Sequence, residues 1–466
     1  MRFKGPELMV LGLFLILLLP KVFQQGMFFD GLIYSSVSNN LASGQGSVWD
    51  PSFSKTIWLH FHEHPTFALW LQSLFLQLFG GAFFAEKVYS LVMALICAYA
   101  IVRIWKKLFD SKEIQDLWWL PLFLWIFTSK VFWVFNNNML EGTLSAMTLL
   151  SAYFSLIAVK DKKPLHLLWA GLFLLLSFLT KGPVGLFPLA FIPLYFIVFH
   201  KNISFSKAVT QTLIVLVSFA VFIGLLFLIF PESYTFLHDY LNAQVLSSIK
   251  GEQRVGSRLN FLKDIILELL PMTIFSLVFT LIRIRSIRPK MKQFSKHALF
   301  FFLIGCSAIL PLFISPKLSQ FYIVPGIPFM AISLSALIAP EMSDLMKRLA
   351  FGSVPSRIFQ FLGLAMISFA LVFTIIKAGT IERDHELHHD MAIVAKEVQK
   401  GAILSISPSM KEDWNTIAHF QRFQQISFDL NNDSLTYILK GKNEPIPEGY
   451  ELMPLDLQRY SLMGKK

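Results

Sequence analysis

Long apolar runs separated by short polar joints dominate the chain. The runs fall at about 8–23, 66–79, 84–104, 117–136, 140–159, 164–180, 183–200, 208–230, 264–283, 297–315, 319–339 and 357–377. Most approach the roughly 20 residues that a helix needs to cross a hydrocarbon core of about 30 Å, so the pattern predicts a polytopic helical membrane protein. The first run follows Arg2 and Lys4 and has no small-residue cleavage site, which makes it a retained helix. Beyond residue 377 the pattern changes. Strand-like segments at 402–406 and 434–439 and a helical one at 391–399 predict a small α/β domain over 378–466, outside the 1–377 membrane domain.

Charge decides which runs cross. Lys and Arg near helix ends favour the cytoplasmic side. If 66–79 crossed, Arg103, Lys106, Lys107 and the basic run 283–292 would all fall outside. Laying that one short segment along the surface returns every basic joint to the cytoplasm. The expectation is eleven spanning helices, the N-terminus inside and the C-terminus outside.

Composition agrees with that class. The 466 residues are 55% hydrophobic, include 48 Phe and have a mean hydropathy of +0.57. The net charge of +11 sits in the joints between apolar runs, where it orients helices and meets anionic lipid rather than nucleic acid. Cys97 and Cys306 lie inside apolar runs and suggest neither a disulfide framework nor a thiolate metal site.

The eleven-span arrangement puts Asp30, Glu63, Glu141, Lys181, the loop 231–263 with Arg254 and Arg258, and Lys317 on one outer face. Carboxylates with cations at a membrane boundary suit a substrate that is part lipid, part polar and bears a phosphate. Each residue also has a plainer role. Asp30 would cap a surface helix over 31–41 whose Leu32, Ile33, Val37 and Leu41 face lipid. Glu63 and His64 would form a polar cluster at a helix entry, Glu141 would cap a helix, and Lys181 and Lys317 would snorkel. His60, His62 and His64 share one face of an extended segment, a spacing open to metal or to unligated interfacial histidines. The run 384–390, D-H-E-L-H-H-D, reads as a solvated linker or a second metal candidate.

The motifs D30-G-x-x-Y34, E63-H-P, N-M-L-E141, L-T-K181-G-P-V-G and S-P-K317 with Tyr322, Pro325 and Pro328 occur in that order. Together they resemble the polyprenyl-phosphate-sugar-dependent glycosyltransferases of the GT-C fold, such as the aminoarabinose lipid A transferases and protein O-mannosyltransferases. The resemblance covers about the first three-quarters of the chain. It implies an all-α membrane domain with surface helices on its outer face. It also implies an essential acid at Asp30, further acidic positions at Glu63 and Glu141, and substrate-binding roles for Tyr34, His64, Lys181, Arg254, Arg258, Lys317 and Tyr322. His64 stands where the family has Lys, and Gln244 stands near the place of a metal-binding His, leaving His62 and Glu63 as the candidate ligands of a divalent metal.

The resemblance implies a polyprenyl-phosphate-linked sugar as donor, with a lipid, glycan or protein as acceptor. Such a donor carries a good leaving group, so the reaction needs a base for the acceptor hydroxyl and cations for the released phosphate. Asp30 fits the first role, and Lys317, Lys181 and Arg254 or Arg258 the second. A single displacement at the anomeric carbon inverts its configuration. The expected location is the bacterial inner membrane with the site facing the periplasm. A transporter of a lipid-linked or anionic substrate is the competing class, since charges and Gly/Pro breaks also mark transport paths.

Overall fold

The structure, a computed structural model, describes residues 5–246, 257–282, 284–315, 318–348, 354–432 and 434–466. Among the described residues nine helical stretches are long and apolar enough to cross a membrane. A tenth is added if Lys112–Ile126 and Ser129–Asn136, bent by 76°, make one span. The eleven predicted runs are all present as helix. The difference in count arises at 164–180 and 183–200, which join into one stretch, His166–Phe199, and at 117–136, which is broken into the two bent helices.

That stretch is not straight. The His166–Lys181 helix stops at Gly182, whose φ of 68° is a left-handed turn that glycine adopts without strain. A 3-10 segment, Gly182–Ala190, then folds back, so that Ser177 Oγ donates to the Gly185 carbonyl at 2.7 Å. In a continuous helix these residues would lie about 12 Å apart along the axis. The L-T-K-G-P-V-G motif is therefore a helix stop, and it leaves Lys181 at a helix C-terminus, where the dipole favours a cation.

The chain divides into two compact units. The larger takes in Met1–Pro20, Ser90–Asn136 and Leu140–Ile376 and holds most of the apolar helices. Without a hydrophobic force between helices in lipid, close approach of small residues does the packing. A Cβ on Gly12 would sit 2.6 Å from Met366 Cβ, and one on Gly363 would sit 2.5 Å from Leu8 Cβ, so the first and last spanning helices meet nearly backbone to backbone.

The smaller unit takes in Lys21–Tyr89, Asn137–Met139 and Lys377–Lys466. Its five-stranded sheet has the order β2-β1-β3-β5-β4, with β1 Ile403–Ile406, β2 Ser427–Asp429, β3 Tyr437–Gly441, β4 Tyr450–Leu452 and β5 Tyr460–Lys465. β1 runs parallel to β2 and β3, and β5 runs antiparallel to β3 and β4. Of these strands, the sequence pattern predicts β1 and part of β3. Residues 384–390 are not a linker, since His385–Glu397 is a helix. Asp390, fully buried, accepts the backbone N–H groups of Gln458, Arg459 and Tyr460 at 2.6–2.9 Å. That is a structural use of the carboxylate, which anchors the start of β5.

The polar loop after the first span belongs to this unit as well. Thr56 Oγ1 donates to the Phe428 carbonyl at 2.7 Å, and the Trp58 indole stacks on Trp414 at 4.7 Å with the ring planes 3° apart. Phe67–Leu78 is a 12-residue apolar helix. At about 18 Å it is too short to cross, as its length in the sequence predicts.

Candidate active site

Within the smaller unit the D-G-x-x-Y motif opens the Phe29–Ala42 helix. The helix begins one residue before Asp30, and its N-cap is Phe28 with no side-chain cap, so Asp30 is not the cap that its position suggested. It sits half-buried in the first turn, one turn before Tyr34 on the same helix face. Leu32, Ile33 and Val37 do not face lipid; they are 0%, 6% and 0% exposed. The helix is covered on nearly every side, and two of its serines satisfy themselves locally. Ser35 and Ser36 each donate to the carbonyl four residues back at 2.8 Å. Ser38 donates to Gln72 Oε1 at 2.7 Å.

The start of this helix is held by the N-N-N corner. Asn137 Oδ1 accepts the Phe28 N–H at 2.7 Å, and Asn138 Nδ2 donates to Ser35 Oγ at 3.2 Å. Any Cβ on residue 31 would lie 1.9 Å from the Asn137 carbonyl oxygen. The glycine after Asp30 is therefore a matter of backbone approach. Asn137 and Asn138 were not among the predicted site residues. Their only advance sign was the polar N-N-N triplet between apolar runs.

Tyr34 and His64 meet. The phenol oxygen and His64 Nε2 are 3.2 Å apart, and the rings are edge to face at 5.5 Å. The three alternating histidines do not stay together: His60 stacks on His62 at 6.4 Å and its Nδ1 pairs with Asp50 Oδ1 at 2.7 Å, while His64 turns to Tyr34. Glu63 and His62 lie half-buried beside them in sequence. Among the described residues no three His, Cys, Asp or Glu side chains gather as a metal site. The three-histidine arrangement and the 384–390 cluster are thus not built as metal centres.

Within the larger unit, three sequence-predicted residues from remote segments converge. Glu141, in the first turn of the Leu140–Lys160 helix, forms an ion pair with Lys181. The Lys181 ammonium also lies 4.1 Å from the centroid of the Tyr322 ring and 5.7 Å from that of Phe321. Glu141 is 1% exposed, and its second oxygen, Oε2, has no hydrogen-bond partner among the described residues. Lys181 does not snorkel and Glu141 is not merely a cap. Phe321 stacks on Trp133 at 5.5 Å, and Lys130 Nζ lies 5.4 Å from the Trp133 ring, a second cation that the sequence motifs did not single out. Arg258 is exposed at the first position of the Arg258–Ile282 helix. Arg254 and Lys317 lie outside the described residues.

The clearest pairing missed by sequence reasoning is Arg422 with Glu86, both in the smaller unit. The guanidinium spans both carboxylate oxygens, at 3.2 Å from Nε and 2.8 Å from Nη2, and Nη2 also reaches the Gly81 and Ala82 carbonyls. Both side chains are almost completely buried. No local pattern in either segment marks them as partners.

A family model described as dolichyl-phosphate-mannose-protein mannosyltransferase matches residues 63–227. No curated protein is matched by sequence. Among solved structures, ArnT from Cupriavidus metallidurans bound to undecaprenyl phosphate aligns with a TM-score of 0.60 at 13% identity, covering 97% of this chain and 96% of that one. The same protein in its apo state aligns at 0.62 and 14%, covering 96% and 95%. The Archaeoglobus fulgidus oligosaccharyltransferase AglB, in complex with an inhibitory peptide and a dolichol-phosphate, aligns at 0.52 and 12%, covering 93% of this chain and 69% of that one. The chain is a multi-pass membrane protein with the GT-C glycosyltransferase fold that it shares with these structures, carrying a small C-terminal sheet region.

Proposed function

We propose that the protein is an integral membrane glycosyltransferase that moves a sugar from a polyprenyl-phosphate donor to a lipid, glycan or protein acceptor at the periplasmic face of a bacterial inner membrane. The observation that carries this reading is the buried Glu141–Lys181 pair under the Tyr322 ring. Removing two charges from water costs several kcal/mol per ion, and their attraction repays that only in part. A cation kept there at such cost, beside aromatic rings and on a fold of which two solved structures hold an undecaprenyl phosphate and a dolichol-phosphate, suits a lipid phosphate.

In the proposed reaction the acceptor hydroxyl attacks the anomeric carbon and the bond from that carbon to the phosphate oxygen breaks. Asp30 takes the hydroxyl proton. The electron pair leaves with the polyprenyl phosphate, whose charge Lys181 stabilises, with Arg254, Arg258 and Lys317 as further cations. One displacement inverts the anomeric centre. Tyr34, one turn after Asp30 on the same helix, and His64, joined to Tyr34 at 3.2 Å, are the substrate-binding groups. Glu63 and Glu141 are the other acidic members, and Glu63 with His62 would hold a divalent ion if the reaction uses one. The sugar is read as a hexose or pentose.

The test uses purified protein with labelled polyprenyl-phosphate sugars and a membrane extract as acceptor source. The expected result is transfer by the wild type and a loss of about 100- to 10,000-fold in Asp30→Asn, which keeps shape but removes the base. No transfer from any such donor would overturn the reading.

A further inference from the structure

Lys181 and Glu141 carry opposite charges in contact, so beyond contact range they exert little net attraction on an anion. The pair can stabilise a phosphate that has arrived. Drawing one in from the bilayer takes a cation that no carboxylate cancels.

Lys130, in the same unit, is such a cation. Its ammonium lies 5.4 Å from the centroid of the Trp133 ring and makes no ion pair among the described residues. Trp133 stacks on Phe321 at 5.5 Å, and the Phe321 centroid is 5.7 Å from the Lys181 ammonium. A row of half-buried rings therefore joins a half-buried cation to one that is nearly buried. Each end of the row holds an ammonium against a ring, the geometry of a cation–π contact.

The local backbone explains where Lys130 stands. Its helix, Ser129–Asn136, is turned by 76° from the Lys112–Ile126 stretch before it. Where the longer stretch crosses the membrane, the shorter one lies along the boundary, at the depth of lipid headgroups. Glu268, 139 positions from Ser129, accepts the Ser129 hydroxyl at 2.7 and 2.8 Å and the Lys130 N–H at 3.1 Å. The carboxylate thus balances the positive end of this helix and makes no ion pair with the Lys130 ammonium.

A Lys and a Trp at a membrane boundary also serve as anchors. An anchor needs no ring row leading to a second buried cation. We infer that Lys130 is a further substrate-binding residue, which draws the phosphate of the lipid-linked donor from the membrane boundary towards Lys181. The inference rests on the polyprenyl-phosphate reading given above.

Binding of a labelled polyprenyl phosphate, and of the uncharged polyprenol of the same length, to the purified full chain in a non-ionic detergent tests it. Wild type should prefer the phosphate, and Lys130→Met should weaken phosphate binding about tenfold while leaving polyprenol binding and the melting temperature unchanged. Lys130→Arg should bind like wild type. Added salt should weaken phosphate binding by the wild type more steeply than by Lys130→Met. In the transfer assay Lys130→Met should raise the donor KM with little change in kcat. A wild type that binds phosphate and alcohol equally would overturn the donor reading and this inference together. A wild type that prefers the phosphate, with that preference intact in Lys130→Met, would overturn this inference alone. So would a Lys130→Met protein that melts lower but binds normally when folded, since that is the behaviour of an anchor.

Discussion

The ammonium of Lys181 and the carboxylate of Glu141 form an ion pair whose side chains are 11% and 1% exposed. Forty positions separate them in sequence. Lys181 reaches this place because Gly182 stops its helix, and Glu141 because a helix begins one residue before it.

This pair separates a structural role from a functional one. Glu141→Ala should cost about 3–5 kcal/mol by leaving a buried cation unpaired. The double variant Glu141→Leu, Lys181→Met, similar in volume and apolar, should recover most of that stability and still transfer no sugar. Thermal melts and donor turnover on the same preparations decide it. Recovery of both stability and activity would make the pair structural only.

At the other cluster, Gly31→Ala is expected to do far more harm than a helical alanine ordinarily does. Helix propensity alone would favour alanine by about 1 kcal/mol. The added methyl meets the Asn137 carbonyl at 1.9 Å, so the helix start must move. Ser35→Ala, which removes the hydroxyl that accepts from Asn138 and donates to the Gly31 carbonyl, should cost about 1–2 kcal/mol. A Gly31→Ala protein that melts and turns over like wild type would refute this account of the motif.

Arg422→Met should weaken the smaller unit by about 3–5 kcal/mol, since it strands the Glu86 carboxylate and takes the donor from two carbonyls. Limited proteolysis should then cut the C-terminal 90 or so residues faster than in wild type. Pairing the change with Glu86→Leu should restore part of the resistance.

Acid should loosen the same unit. Burial lowers His419 to a pKa of about 4 and also lowers that of His388, whose ring meets it edge to face at 5.1 Å. In the unfolded chain both titrate near 6.5. Between those values the unfolded state binds protons that the folded state refuses, so stability falls as the pH drops from about 6.5 towards 4. His419 alone accounts for about 3 kcal/mol of that loss. His419→Gln should flatten the dependence of melting temperature on pH in this window. An unchanged slope would assign the acid sensitivity elsewhere.

The sequence by itself determined the membrane class, the apolar helices and the shortness of the 66–79 segment, because hydrophobic runs and helix stops are written in consecutive residues. It also picked out Glu141, Lys181 and Tyr322, and Tyr34 with His64, since a charge or polar motif at the end of an apolar run is costly wherever the chain goes. Only tertiary structure decided which of these meet. Glu141 takes Lys181, His64 takes Tyr34 and leaves His60 to Asp50, and Gly31 answers to Asn137. The burial of Leu32, Ile33 and Val37 was equally hidden, because it depends on chain that returns from elsewhere. The pairing of Arg422 with Glu86 spans 336 positions. An ion pair closed over that distance leaves no period or spacing to read, only two charged residues that look like any others until the fold removes the water between them.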